Sequence, residues 1–157
     1  MVRKTASDTQ EKKVLDDIEA FGWHCVNVLA EEGLPGFSFS VGNYHSYKHP
    51  EFIIFGLRPE VAHQILNLAL AGLNDGAIVD LSAPTDELLN GNSCVFVKVP
   101  EAEYHEHVGF CRWYYEGNSF PLYQIVWPSK NGYFPWHAEA SEAFRAAQPV
   151  LAHSDGA

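Results

Sequence analysis

The 157 residues make room for one domain that buries roughly 70% of the surface its unfolded chain would expose. Apolar residues at 46% against 19% charged exclude a disordered chain. A net charge of −10 excludes non-specific nucleic-acid or anionic-membrane binding, which needs basic charge to neutralise phosphate.

Residues 1–8 read as a frayed terminus, 9–151 as one domain and 152–157 as a tail. Val14, Leu15, Ile18 and Phe21 recur at helical spacing, so a helix is expected over 9–21, closed by Gly22. An apolar run at 23–29 reads as a strand, and turn residues fill 31–36. Phe37, Phe39 and Val41 alternate with Ser38 and Ser40, the period of a strand with one buried face. Residues 52–55 are continuously apolar, as in a strand covered on both sides.

Pro59 suits the first turn of a helix over 59–74, with Gly76 as its cap. Residues 76–91 read as loop with one helical turn near 85–89. A strand follows at 93–99. Tyr104, Val108, Cys111 and Tyr115 then predict one helix over 102–115, and 122–127 predicts another strand. Asn131-Gly132 marks a tight turn, and a last helix is expected over 141–147. Short links between the first three strands favour antiparallel pairing. The expected class is α+β: one domain, a mainly antiparallel or mixed sheet with about four helices packed on it.

Three scattered cysteines, Cys25, Cys94 and Cys111, do not make a disulfide framework. No leader and no apolar run of 18 residues is visible, so a cytoplasmic, soluble protein is expected, with no membrane and no nucleic acid among its partners.

The segment 43–51 holds Tyr44, His45, Tyr47, His49 and Glu51 between two strands, where a ligand or reaction site is sought first. His45 and His49 stand four apart, which on a helix would present two imidazoles on one face. Gly42 and Pro50 bracket the segment as loop, so that geometry is not expected. His45, His49 and Glu51 are the candidate catalytic set. With His105 or His107 the two histidines could alternatively hold zinc or iron. The competing reading is that these side chains only fix the loop. Glu51, next to an apolar run, would need a partner, for which Lys48, Arg58 or a histidine is available. His24 and Cys25 are neighbours on a strand and point to opposite faces, so they cannot form a nucleophile–base pair with each other. There is no nucleophile elbow, phosphate loop or dinucleotide fingerprint, and no cofactor is required.

Aromatics crowd 110–127 and 133–136. Arg112, Trp113, Gln124, Trp127 and Trp136, with Tyr44 and Tyr47, are the candidate ligand-binding residues, set against the reading that about half of the rings are core. Gln124, inside an apolar strand, must be hydrogen-bonded if buried.

Trp23-His24, Phe39-Ser-Val-Gly42, His49-Pro-Glu51, Phe55-Gly-Leu57, Trp113-Tyr-Tyr115, Gln124-Ile-Val-Trp-Pro128 and Gly132-Tyr-Phe-Pro-Trp136 follow one another over about 14–151. In this succession the chain resembles the bacterial domain of unknown function 4262 family. The resemblance implies a small single-domain bacterial protein and carries no catalytic residues with it. Three readings stay open: a module binding a small molecule or protein through the 43–51 loop and the 112–136 aromatics, a small enzyme, and an acidic antitoxin- or immunity-type protein that binds a basic partner.

Overall fold

The computed structural model describes residues 2–71, 80–89 and 92–152. Helix α1 (Thr9–Phe21) starts where the Asp8 carboxylate accepts from the Glu11 N–H, and it ends at Gly22 in the left-handed region. It buries Val14 and Ile18. Strands β1 (His24–Val28), β2 (Phe37–Val41) and β3 (Glu51–Phe55) follow and pair antiparallel, as their short links suggest. Helix α2 (Asn43–Tyr47) lies between β2 and β3.

After β3 comes α3 (Pro59–Leu70), with Pro59 in its first turn, then strands β4 (Thr85–Leu89) and β5 (Asn92–Lys98). A 3₁₀ turn at Glu101–Glu103 leads into α4 (Tyr104–His107) and α5 (Gly109–Tyr115), and then to β6 (Leu122–Val126) and α6 (Glu142–Ala147). The sheet runs β1-β2-β3-β6-β5-β4, and only β3 and β6 are parallel. The fold is α+β on a mixed sheet, as expected.

Helices cover both faces of that sheet. On one, Val14 and Ile18 of α1 and Cys111, Tyr114 and Tyr115 of α5 pack on Phe39, Val41, Ile53 and Phe55. On the other, Ala62, Ile65, Leu66 and Ala69 of α3 pack on Phe52, Ile54 and Ile125. All five β3 residues are therefore buried, and each large apolar one contributes about 2 kcal/mol by leaving water.

Several expectations are corrected. Ser38 and Ser40 do not face water: β2 lies inside the sheet under both helical layers, and both serines are buried. Residues 85–89 form a strand rather than a helical turn, because β5 offers a ladder to pair with. The helix over 102–115 is broken at Val108 (φ −120°, ψ 57°) into α4 and α5. The four residues that set its period still face the core, since a local break changes the axis and not the buried side. The helix expected over 59–74 stops at Leu70, where Ala71 turns extended (φ −60°, ψ 135°), while residues 72–74 and Gly76 lie outside the described residues. Ahead of α1, the Arg3 N–H donates to Tyr114 O and its guanidinium stands over the Trp113 ring, 5.9 Å from the centroid.

Candidate functional site

The most connected polar group in the interior is the Glu51 carboxylate at the start of β3. It is fully buried, and its partners are neither Lys48, Arg58 nor a histidine. Oε1 accepts from Ser40 Oγ at 2.8 Å and Asn43 N at 3.2 Å. Oε2 accepts from Gly42 N at 3.0 Å, Tyr44 N at 3.2 Å and the Tyr115 hydroxyl. Three of these donors are the orphan N–H groups that open α2, so Glu51 caps that helix from eight residues beyond its first residue. The segment 43–47 is thus helical where Gly42 and Pro50 suggest loop. Five residues cannot hold a helix alone, and the carboxylate supplies what propensity does not.

Ser40 Oγ is saturated as well. It donates to Glu51 and accepts from Asn43 Nδ2 and Phe52 N, both at 2.9 Å. The Cys111 thiol donates to Ser40 O at 3.2 Å, and the Tyr115 hydroxyl accepts from His45 N at 3.2 Å. Burial pushes the Glu51 carboxyl up to about 7, against the pull of the Tyr115 and Ser40 hydroxyls and the backbone donors. Burial and the neighbouring carboxylate push the Tyr115 phenol far above its ordinary value. Chemically, this set can hold a backbone in place. Both carboxylate oxygens and the Ser40 hydroxyl are filled, and the one acceptor of the set left without a partner, Asn43 Oδ1, is itself buried.

The remaining candidates are scattered. His45 is exposed on α2, its ring edge-on to Tyr114. His49 follows Lys48, whose φ of 58° ends α2. It is buried against Phe52, and burial lowers its pKa. Tyr44 packs against Tyr115, and the Tyr47 hydroxyl donates to Phe21 O at 3.0 Å. His107 stands by Phe37 and Phe55, next to the far end of β3, and its Nδ1 is 2.9 Å from Glu103 O. His105 is exposed on α4. Among the described residues no three His, Cys, Asp or Glu side chains gather into a group that could hold a metal ion.

The later aromatics do not close on α2 either. Trp113 lies under Arg3, and Arg112 Nε donates to Asn118 Oδ1 at 2.8 Å. Trp127 Nε1 donates to Phe55 O at 2.8 Å, while the buried Gln148 amide bridges the Trp127 N–H and C=O. Gln124 is buried and hydrogen-bonded, as its place in an apolar strand requires. Nε2 donates to Pro149 O at 2.7 Å and Oε1 accepts from Leu151 N at 3.0 Å. Trp136, 39% exposed, stacks on Phe134.

The open space lies on the other side of α2. A cleft of ≈ 790 Å³ runs between the end of α1, α2 and the end of α3, with Trp23, His45, Ser46, Tyr47 and Asn67 in its walls. Ser46 Oγ donates to Gly22 O at 2.7 Å, which ties α2 to the end of α1. Trp23 is held edge-on to His63, with ring centroids 5.6 Å apart. Trp23, His63 and Asn67 stood outside the expected set because they come from three elements with no shared motif. Below Trp23, His24 Nδ1 sits 2.7 Å from Asp17 Oδ2. Burial works to raise the Asp17 carboxyl, but hydrogen bonds from His24 and Lys13 outweigh it and hold it below its ordinary value. Cys25 next door supplies no ready thiolate, since burial pushes its thiol up to about 11.

Fold and site together define a small mixed-sheet α+β domain with an internal carboxylate clamp and an open cleft beside it. The chain belongs to the family described as Domain of unknown function (DUF4262), whose model matches residues 17–141. That span contains the clamp and the cleft walls. No curated protein and no solved structure matches the chain. Among the described residues no helix is long and apolar enough to cross a membrane.

Proposed function

We propose that the chain is a binding module whose recognition site is the cleft between α1, α2 and α3, taking a small molecule with a flat ring and hydrogen-bonding groups. The observation that carries this reading is the ≈ 790 Å³ cleft whose α2 wall is fixed from inside by hydrogen bonds to the Glu51 carboxylate. A wall held in place before binding loses little freedom when a ligand arrives. Trp23 offers a ring face or edge, and His45 and Asn67, both exposed, offer polar contacts at opposite walls. The 43–51 segment keeps its place in this reading, and the aromatics of 112–136 leave it.

Native mass spectrometry of gently purified protein, set against its denatured mass, tests the proposal. The expected result is an added mass in the wild type that is absent from a folded Trp23→Ala variant. An added mass retained by Trp23→Ala, or a bare polypeptide that also shows no ring-containing ligand bound in a metabolite screen, counts against it.

A further inference from the structure

The sheet has two edges, and they are treated differently. At one, β4 pairs with β5 through a register shift and carries the exposed Asp86, features that discourage a further strand. At the other, β1 pairs regularly with β2 over all five residues and carries no lysine, proline or bulge. Among the described residues no strand covers its outer side. Half of its backbone N–H and C=O groups therefore face outward, a template for one more strand.

That edge is recessed rather than bare. A cleft of ≈ 350 Å³ separates it from α1 and Phe110, with Gln10 and Lys13 in its wall. Another of ≈ 510 Å³ reaches round to α3 through Trp23, His63 and Asn67. Both include His24, Cys25 and Asn27, so space lies on each side of the same strand. A strand laid along β1 would send alternate side chains into these two spaces. Exposed apolar groups mark both ends of the edge: Phe21 at 65% before it, and Val28, Leu29 and Leu34 at 38%, 72% and 62% at and after its end. Four of the six large apolar side chains exposed among the described residues thus fall within 21–34.

We infer that the β1 edge is a strand-addition site for an extended segment of a basic partner protein. The walls argue for a lone strand over a second copy of this chain, because a copy would bring its own α1 and α3 against these. Charge argues the same way: two copies would set −10 against −10, whereas the field of 20 acidic against 10 basic residues attracts a segment rich in lysine and arginine. Backbone hydrogen bonds along β1 would supply the affinity and the flanking clefts the selectivity. The inference shares Trp23 and Asn67 with the ligand reading but does not rest on it, since its affinity comes from the β1 backbone and not from the α2 wall.

Panning a library of random twelve-residue peptides against the full chain at low salt tests it. Enriched peptides are expected to alternate apolar residues with lysine or arginine. Added to the chain, a synthesised winner is expected to slow amide hydrogen exchange within 24–28. Methylating every second backbone nitrogen of that peptide, on the edge that meets β1, should weaken binding at least about tenfold. Successive N–H groups of a strand point to opposite edges, so Asn27→Pro and Val28→Pro divide the roles. The one that removes an outward donor keeps its unfolding midpoint and loses the peptide, and the other loses stability. No enrichment, protection confined to other residues, or indifference to both methylation registers overturns the inference. So does concentration-dependent protection of 24–28 without peptide, which would give the edge to a second copy.

Discussion

The clamp at Glu51 and the cleft at Trp23 sit on either side of α2 and use their polar groups in opposite ways. In the clamp five donors converge on one carboxylate and nothing is left for a ligand. In the cleft, His45 and Asn67 stand exposed around Trp23. Rich polar chemistry in a protein interior is thus a poor guide to where a molecule binds, because burial demands that such groups be satisfied internally. The distinction is between groups that hold the chain and groups that face outward.

Substitutions that break the clamp should separate the two regions. The largest effect is expected from Gly42→Ala. Gly42 has φ 111°, and an added Cβ would lie 2.9 Å from Gly22 O, so strain and clash together should remove about 3 kcal/mol in chemical denaturation. Tyr115→Phe removes one donor to the buried carboxylate and leaves its ring packing, for an expected loss of about 2 kcal/mol by the same measurement. Smallest are His45→Ala and Asn67→Ala in the cleft wall. Both positions are exposed, so stability should stay within about 0.5 kcal/mol. Retention of any cleft-bound mass in native spectra should nevertheless fall. If these two variants unfolded as readily as Tyr115→Phe, the contrast between holding and binding groups would fail.

The sheet was largely legible in the sequence, because β1, β2, β3, β5 and β6 each carry an apolar run or a period of two bounded by turn residues. β4 was not: Thr-Asp-Glu-Leu-Leu has no strand pattern of its own and pairs because β5 is there. For α2 the cap is a carboxylate on another element, whereas local rules look for it at the helix start. Glu51 was picked out by its position before an apolar run, and that signal was sound for burial and silent about partners. The later tryptophans divide for a related reason. Composition shows that rings are present, while the N–H of Trp127 bonds Phe55 O and Trp113 lies beneath Arg3 only once the chain is folded.

The central claim, that Glu51 is a structural anchor, is tested most directly by unfolding wild type and Glu51→Gln in denaturant from pH 5 to pH 8. A carboxyl raised in the folded state from 4.5 to about 7 contributes stability that is complete below 4.5 and lost as pH rises through 7. At pH 5 the folded wild type brings one acidic proton among the five donors and the amide brings two N–H groups, so the variant is predicted to be less stable by about 2 kcal/mol. Only wild type titrates at this position, so its advantage should shrink steadily from pH 5 to pH 8. A gap below about 0.5 kcal/mol at pH 5, or one that widens as pH rises, would contradict the account.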